Sequence, residues 1–250
     1  MFVDKYRPTK VSEMILTSQV KKLITGIKKK KTVPNMIFYG GAGTGKTTLA
    51  RALCNDMNIE VLELNASLDN RIENVRKEVM NFSTTVSLTS QQKVILLDES
   101  DNMSHQMQKA LRGVIEKVSN NCRFIFTANY VERLLEPIQS RCTLVEFKIA
   151  DDKRVEKSVL NHCVTILKKE KIKFKQEDLL NHVQHYLPDI RKVVAQLEMS
   201  SNNGSFVFNG KTTAVSKTTA KGDLTIDMAF NKKRADKLMD QFNDLKINKL

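Results

Sequence analysis

The sequence predicts an α/β fold in which a parallel five-stranded sheet flanked by helices is followed by a small all-α lid domain and a short C-terminal region. Short apolar runs alternate with amphipathic segments up to about residue 148, a pattern typical of strands that alternate with helices. Several runs are too uniformly apolar for a strand with one face in water, so both faces of the sheet are expected to be covered. After Ile149 only helical spacing recurs. The expected domains are residues 1–148, 149–200 and 201–250.

The five apolar runs of the first domain are the expected strands, at residues 36–39, 61–64, 94–97, 124–126 and 144–147. Amphipathic segments between them predict helices at 47–57, 71–82 and 103–118. In the second domain the apolar spacing predicts helices at 155–167, 179–186 and 190–197, with Asp151 and Asp189 as N-caps. Residues 200–222 are polar and predict a linker or a loose hairpin, and residues 226–245 predict one more short helix.

Composition narrows the class of protein. The 250 residues include 41 lysines and arginines against 28 aspartates and glutamates, a net charge of +13 that favours a polyanionic partner. A hydrophobic content of 41% argues against a disordered chain, and no apolar run approaches the roughly 18 residues that a membrane-spanning helix needs. The N-terminus lacks the pattern of a secretory signal. The four cysteines lie too far apart for a local metal pair or a compact disulfide framework, so we expect a reduced, intracellular protein.

A glycine-rich loop is the strongest single motif. Residues 40–47 fit the pattern G-x-x-x-x-G-K-T, directly after an apolar strand and at the start of a predicted helix. The backbone N–H groups of such a loop and the helix N-terminus surround phosphate groups. Lys46 is expected to reach the β- and γ-phosphates of a nucleotide, and Thr47 to place its hydroxyl on Mg²⁺. The predicted nucleotide-binding set is Gly40, Gly41, Ala42, Gly43, Thr44, Gly45, Lys46, Thr47 and Thr48.

A pair of carboxylates complements this loop. Asp98 and Glu99 directly follow the apolar run at 94–97. At the end of a buried strand, Asp98 is expected to hold Mg²⁺ and Glu99 to polarise an attacking water. The same pair has an alternative role as an N-cap of the helix that follows. The loop 51 residues upstream favours the magnesium interpretation, and with it hydrolysis rather than nucleotide binding alone.

The order of short motifs identifies a family. The motifs are Lys5-Tyr6-Arg7-Pro8, the glycine-rich loop, Leu64-Asn65-Ala66-Ser67, Asp98-Glu99-Ser100-Asp101, Thr127-Ala128-Asn129, Ser140-Arg141-Cys142 and Asp189-Ile190-Arg191-Lys192. In this order the chain resembles the small ATPase subunits of sliding-clamp loaders, which are P-loop NTPases of the AAA+ superfamily. Residues 119–122 and 137–142 are most similar to the ATPase subunits of T-even-type phage clamp loaders, alongside replication factor C small subunits. The resemblance covers about residues 2–200.

The resemblance implies an ATP and Mg²⁺ site whose adenine is bordered by Val3, Tyr6, Arg7 and Pro8. It implies that Asn65 is a switch that holds Glu99 away from the attacking water until DNA is bound. Asn129 is expected to be the sensor that orients this water against the γ-phosphate, although an asparagine at this position is also typical of a turn at a strand end. Arg191, at the start of a lid helix, is expected to contact the γ-phosphate of ATP bound to its own chain.

Arg141 is implied to act on a neighbouring subunit. An arginine in a loop after the catalytic strands has no obvious partner within its own chain. In the family it projects into the neighbour's ATP site as an arginine finger, which stabilises the charge that develops on the transferred phosphoryl oxygens. A surface salt bridge is the alternative. A finger that acts in trans implies that the isolated chain hydrolyses ATP poorly.

The resemblance also implies partners. These are a sliding clamp, primer–template DNA, and other clamp-loader subunits in a ring or spiral, with a pentamer expected. Helix N-termini and arginines contact phosphates rather than base edges, so DNA binding is expected to be insensitive to sequence. The candidate DNA-binding residues are Arg71, Arg76, Lys77, Gln108 and Arg112, of which the last two are expected to relay DNA contact toward Glu99. A solvated helix face is the alternative for these positions.

The implied function is the ATP-driven opening of the clamp and its loading onto primer–template DNA during DNA replication. The expected location is the cytoplasm, which is the host cytoplasm for a phage protein, without membrane attachment. Two alternatives stay open: another DNA-dependent AAA+ ATPase, such as a branch-migration or recombination-associated motor, and a nucleotide-binding scaffold without turnover. Family members carry a helical collar after the lid that joins the subunits, and residues 201–250 predict only a reduced form of it.

Overall fold

The computed structural model describes residues 1–67, 72–85, 92–149, 153–202 and 204–208. Five strands form one parallel sheet in the order β2-β3-β4-β1-β5. They are β1 Met36–Tyr39, β2 Glu60–Asn65, β3 Lys93–Asp98, β4 Cys122–Ala128 and β5 Thr143–Glu146. The predicted fold class is confirmed, and each apolar run at which a strand was expected overlaps one of these five strands.

Nine helices occur in the described residues: α1 Phe2–Lys5, α2 Ser18–Lys30, α3 Lys46–Asp56, α4 Ile72–Thr84, α5 His105–Val118, α6 Glu136–Gln139, α7 Lys153–Lys169, α8 Gln176–Tyr186 and α9 Ile190–Met199. Side chains cap three of them, because Thr17, Ser104 and Asp189 each accept a hydrogen bond from a backbone N–H in the first turn. The short strands β6 Ser201–Asn202 and β7 Ser205–Phe206 form a hairpin after α9. The N-cap expected at Asp151 and the helix expected at 226–245 lie outside the described residues.

Three helices are additions to the expected elements, namely α1, α2 and α6. The first and last are single turns of four residues, too short for a periodic pattern to show in sequence. Helix α2 buries Val20, Ile24 and Ile27 at helical spacing, and three of the consecutive lysines after them form its solvated last turn. The lysine run therefore ends a helix, as its composition indicates.

Successive strand residues pack on opposite faces of the sheet, which explains the uniformly apolar runs. On one face, Ile95, Leu97 and Phe126 belong to a buried cluster that includes residues of α4 and α5. On the other face, Phe38 and Leu96 belong to a second cluster that includes residues of α2 and α3. A strand covered on both faces has no position left for an exposed polar side chain.

The lid domain, formed by α7, α8 and α9 with the hairpin, has a core of its own that also receives the N-terminal segment. Phe2, Val3 and Tyr6 pack against this core although the sheet follows them directly in sequence. The Phe2 N–H donates to the Glu198 carboxylate at 2.7 Å, and the Tyr6 hydroxyl donates to Glu170 at 2.5 Å. The N-terminal segment thereby connects the lid domain to the sheet domain.

The cysteines of the chain are unpaired thiols, and Cys54, Cys122 and Cys163 are buried. Burial raises the pKa of Cys54 and of Cys163 to about 12, so both stay protonated and unreactive near neutral pH. Within the described ranges, no helix has the length and apolar character required to cross a membrane.

His182 is a buried histidine at the centre of the lid domain, with no exposed surface. Its ring packs against Tyr186, Phe206 and Phe208 at centroid distances of 4.9, 5.2 and 5.5 Å, and its Nε2 lies 2.9 Å from the carbonyl oxygen of Val193. Burial lowers the pKa of His182 below its ordinary value of 6.5, although the Val193 carbonyl acts in the opposite direction. The folded lid therefore favours the neutral imidazole.

This lowered pKa predicts that acid destabilises the lid domain. The unfolded chain takes up the His182 proton first as the pH falls, so stability that is present above about pH 6.5 is lost as the pH falls through the folded-state pKa. The variant His182→Gln, which keeps a donor for the Val193 carbonyl but does not titrate, should lose less melting temperature between pH 7.5 and pH 5 than the parent protein. Differential scanning calorimetry checks this, with His185→Gln as the control. Equal losses in all three proteins would contradict it.

Candidate active site

The carboxyl ends of three neighbouring strands meet at one edge of the sheet. Gly40 follows β1, Asp98 ends β3, and Asn129 follows β4, which lies between them. Helix α3 begins at Lys46, directly after the glycine-rich loop, so its N-terminus points into the same edge. Because parallel strands all end on one side, side chains that are distant in sequence converge there, the location typical of ligand sites in open α/β sheets.

The loop adopts backbone conformations that favour glycine. Gly40, Gly43 and Gly45 have φ angles of 136°, 68° and 94°, in the region that other residues rarely enter. A Cβ atom on Gly43 would lie 1.7 Å from Oδ1 of Asp189, and one on Gly40 would lie 2.7 Å from the carbonyl oxygen of Phe147. These two glycines allow the loop to pass close to its neighbours, so the curvature that a phosphate requires is built into the backbone.

Lys46 is buried under this loop. Its Nζ donates to the carbonyl oxygens of Gly40 and Gly41, both at 2.8 Å, and to Oδ1 of Asn129 at 2.9 Å. Burial lowers the pKa of Lys46, whereas the nearby carboxylates of Asp101 and Asp98 raise it. The predicted phosphate-binding lysine and the predicted sensor asparagine are therefore in direct contact.

The residues predicted to bind Mg²⁺ are also brought together. Thr47 Oγ1 donates to Oδ1 of Asp98 at 2.6 Å, and Thr127 Oγ1 donates to the same oxygen. Mg²⁺ prefers hard oxygen ligands, and a carboxylate beside a threonine hydroxyl supplies them, so this donor set fits the ion. Thr127 is an addition to the predicted set. A single buried hydroxyl in the otherwise apolar strand β4 is the sequence signal that identifies it.

Glu99 directly follows β3 in a left-handed backbone conformation, with φ at 54°. Its N–H donates to Thr127 Oγ1 at 3.1 Å, and its carboxylate accepts a hydrogen bond from Ser67 Oγ at 2.8 Å. It precedes a 3₁₀ helix at Ser100–Asn102 without a side-chain capping bond, and Ser104 caps α5. The capping alternative for this carboxylate is therefore wrong.

Asn65, the predicted switch, ends β2 beside Glu99 but contacts Ser67. Its Oδ1 accepts hydrogen bonds from Ser67 N at 2.9 Å and from Ser67 Oγ at 2.6 Å. Ser67 is thus the residue that joins Asn65 to Glu99. The residue lies within the quoted Leu-Asn-Ala-Ser motif, but nothing in its spacing indicates the bridge.

A cavity of about 390 Å³ adjoins the loop, between the N-terminal segment and the lid domain. It is lined by predicted nucleotide-binding residues, which are Val3, Tyr6, Arg7, Pro8, Gly43, Thr44, Gly45, Thr48 and Arg191. Further lining residues that the sequence did not indicate include Met14, Ile15, His162, Ile190 and Val194. Burial lowers the pKa of His162, and the charge of Lys169 acts in the same direction. The apolar part of the lining suits the flat face of a nucleobase.

Helix α9 of the lid domain touches the glycine-rich loop directly. The Arg191 N–H donates to the carbonyl oxygen of Gly43 at 3.3 Å, and Asp189 Oδ1 accepts from the Lys192 N–H at 2.9 Å. The loop that would hold phosphates and the helix that carries Arg191 therefore share a backbone contact.

This contact predicts a strong effect of Gly43→Ala. The new Cβ would overlap the Asp189 carboxylate and force a left-handed conformation on alanine, so ATP affinity is expected to fall about tenfold or more. Isothermal titration with a non-hydrolysable ATP analogue measures this. The matched control is Gly26→Ala in α2, where a Cβ meets nothing within 4 Å. Unchanged affinity in the Gly43 variant would show that the loop moves freely away from α9.

Arg141 has a partner within its own chain, so the expectation that it has none is wrong. Its Nε and Nη2 donate to Oε1 of Glu116 at 3.2 and 2.6 Å, and its Nη1 donates to the carbonyl oxygen of Pro137 at 2.7 Å. The pairing arises because α5, which carries Glu116, packs against α6. The Arg141 and Glu116 side chains remain 31% and 53% exposed. Such exposed pairs typically contribute less than about 1 kcal/mol, so little free energy opposes its release.

The candidate DNA-binding residues fall into different environments. Arg76 and Lys77 are exposed on α4, Arg112 is exposed on α5 and lies 3.8 Å from Glu116, and Arg71 lies outside the described residues. Gln108 is buried, and its amide bonds to the backbone of Met103, Arg133 and Leu135 at 3.2, 3.0 and 2.7 Å. A direct contact between Gln108 and DNA is therefore wrong, because these bonds hold its side chain inside the chain.

Comparison with known proteins agrees with this geometry. Residues 36–149 match the AAA family, described as the ATPase family associated with various cellular activities. The chain is 34% identical over 213 residues to a replication factor C small subunit of Archaeoglobus fulgidus, which covers 83% of this chain and 66% of the relative. It is 35% identical over 207 residues to the sliding-clamp-loader large subunit of Enterobacteria phage T4, covering 80% and 65%. The chain thus spans somewhat less than two thirds of the length of these relatives.

Similarity to solved structures is at the level of the fold. The Holliday junction branch migration motor RuvB of Thermotoga maritima superposes with a TM-score of 0.64 at 15% identity, over 80% of this chain and 65% of that one. The resemblance to clamp-loader ATPase subunits is confirmed by relatives of much higher identity. The chain therefore belongs to the AAA ATPase family through its domain at residues 36–149.

Proposed function

We propose that this chain is an ATP-hydrolysing subunit of a sliding-clamp loader, which acts on DNA during replication in the cytoplasm. The observation that carries the proposal is the convergence of Lys46, Asp98, Glu99 and Asn129 at one edge of the sheet. The names and identities of the relatives support the clamp-loading role. The net charge of +13 suits a partner with a phosphate backbone.

In the proposed reaction, water attacks the γ-phosphorus of ATP and the bond to the β–γ bridging oxygen breaks, giving ADP and phosphate. Glu99 accepts the proton of the attacking water, and Asn129 orients that water. Lys46 exchanges its loop carbonyl partners for phosphate oxygens and stabilises the charge that develops on them. Mg²⁺, held by Thr47 and Asp98, supplies electrostatic stabilisation of the phosphates when it is bound.

Two further arginines are proposed to couple hydrolysis to assembly. Arg191 starts the lid helix that touches the loop, so a contact with the γ-phosphate would make the position of the lid depend on the bound nucleotide. Arg141 is proposed to leave Glu116 and enter the ATP site of a neighbouring subunit. The low free energy that holds the exposed ion pair supports this exchange, because it sets a small barrier to release.

DNA is proposed to contact α4 and α5 through its backbone. Arg76, Lys77 and Arg112 are exposed on these helices, whereas Gln108 joins α5 to the residues around Arg133 and Leu135. In this proposal Gln108 transmits a displacement of α5 without touching DNA. Contacts of this kind engage phosphates, so binding is expected to depend on the primer–template structure rather than on its sequence.

The test is the rate of ATP hydrolysis by the purified chain with its proposed partner subunits and clamp. We expect stimulation when clamp and primer–template DNA are both present, and a smaller response to blunt duplex DNA. Stimulation by four-way junctions without a clamp would instead indicate a branch-migration motor. Nucleotide binding with no turnover under any of these conditions would indicate a scaffold.

A further inference from the structure

Ser67 lies between two acceptors at the end of β2. Its Oγ is 2.6 Å from Oδ1 of Asn65 and 2.8 Å from Oε2 of Glu99. A serine hydroxyl carries one proton, so it donates to only one of these oxygens at a time. The orientation of this hydroxyl therefore determines whether the Glu99 carboxylate is held by a hydrogen bond.

The Asn65 oxygen does not depend on the hydroxyl proton. It also accepts a hydrogen bond from the Ser67 backbone N–H at 2.9 Å. A carboxylate forms stronger hydrogen bonds than a neutral amide oxygen does. The Ser67 proton therefore favours Glu99, and Asn65 fixes the position of Ser67 through its backbone.

The backbone on both sides of this contact is fixed. The residue before Ser67 is Ala66, which is buried and donates its N–H to the carbonyl oxygen of Asp98 at 2.9 Å. Glu99 is held through its own N–H by Thr127 Oγ1 at 3.1 Å. With both backbones fixed, rotation of the two side chains is the simplest motion that breaks the bond from Ser67 to Glu99.

We propose that Ser67 is a positioning residue that restrains Glu99 from the attacking water before DNA is bound. This inference rests on the proposed function, because it assigns a means of control to the same hydrolytic site. A carboxylate that accepts the Ser67 proton has a competing partner for the oxygen that would accept the proton of water. Helix α4 begins at Ile72, shortly after Ser67, so DNA bound at α4 is the event that withdraws the hydroxyl.

The variant Ser67→Ala tests this restraint in the assembly with partner subunits and clamp. Without DNA, its ATP turnover should rise about tenfold above that of the parent protein, as expected for the loss of one hydrogen bond. With primer–template DNA, turnover should stay within about twofold of the parent rate and the KM for ATP should not change, because the restraint is already released. Ser67→Thr, which keeps the hydroxyl, should restore low turnover without DNA.

The control is Ser158→Ala on α7, where an exposed hydroxyl bonds only to the carbonyl oxygen of Arg154 in its own helix at 2.8 Å. Unchanged turnover without DNA in Ser67→Ala would overturn the proposal, as would a parallel fall with and without DNA. A parent protein that DNA does not stimulate would contradict the proposed function. The ratio of unstimulated rates would still decide whether Ser67 restrains Glu99.

Discussion

Arg141→Ala is expected to lower the stimulated ATP turnover of the assembly by about 10³- to 10⁵-fold while ATP binding stays nearly intact. The finger stabilises charge on phosphoryl oxygens in the neighbour's site, so its removal affects the transition state there more than nucleotide affinity. Steady-state hydrolysis and equilibrium ATP binding, measured on the same preparation, check both parts. Lys46→Ala should differ by losing ATP binding as well, because its ammonium contacts the phosphates directly.

A mixing experiment establishes whether the finger acts between subunits. Arg141→Ala chains retain an intact ATP site, and Lys46→Ala chains retain an intact finger. An assembly that contains both should regain part of the turnover that each lacks alone. Glu116→Ala is the matched control, because it removes the ion pair and leaves the finger. A loss of turnover in Glu116→Ala as large as that in Arg141→Ala would support the surface salt bridge as the role of Arg141.

Glu99→Gln is expected to reduce turnover by about 10²- to 10⁴-fold, with little loss of ATP affinity. The amide keeps the size of the side chain and an oxygen that accepts the Ser67 hydrogen bond, but it no longer takes a proton from water. Single-turnover hydrolysis separates this effect from slow release of product. The variant should also trap the assembly in its ATP-bound state.

The matched control for this charge removal is Glu177→Gln, at an exposed position of α8 in the lid domain. It makes the same chemical change outside the site and should leave turnover unchanged. Equal effects of the two variants would assign the loss to net charge rather than to proton transfer. Full turnover in Glu99→Gln would contradict the role of this carboxylate as the base.

Local motifs explain why much of the site is predictable from sequence. The glycine-rich loop places Lys46 and Thr47 by spacing alone, because a strand, a tight loop and a helix in succession leave the backbone one geometry. Asp98 is predictable for a similar reason, since a polar residue that ends a buried strand must lie at the sheet edge. The apolar runs also locate all five strands, because both sheet faces are covered and no polar position interrupts them.

Contacts between distant segments explain what the sequence did not indicate. Ser67 and Thr127 act through hydroxyls whose partners belong to other strands. The pair of Arg141 with Glu116 depends on how α5 packs against α6, and a difference of 25 positions in sequence carries no signal for it. Such contacts are properties of the assembled tertiary structure, whereas spacing reports only on neighbours along one element.

The position of the N-terminal segment has a consequence for the energetics of the whole chain. Val3, Tyr6 and Arg7 line the cavity, and the segment is fastened to the lid core, so the cavity wall exists only while the lid is folded. A ligand that binds only the folded state adds RT ln(1 + [L]/Kd) to its stability. Melting of the lid domain and loss of nucleotide affinity are therefore a single thermodynamic event, and occupancy of the cavity sets the thermal tolerance of the lid.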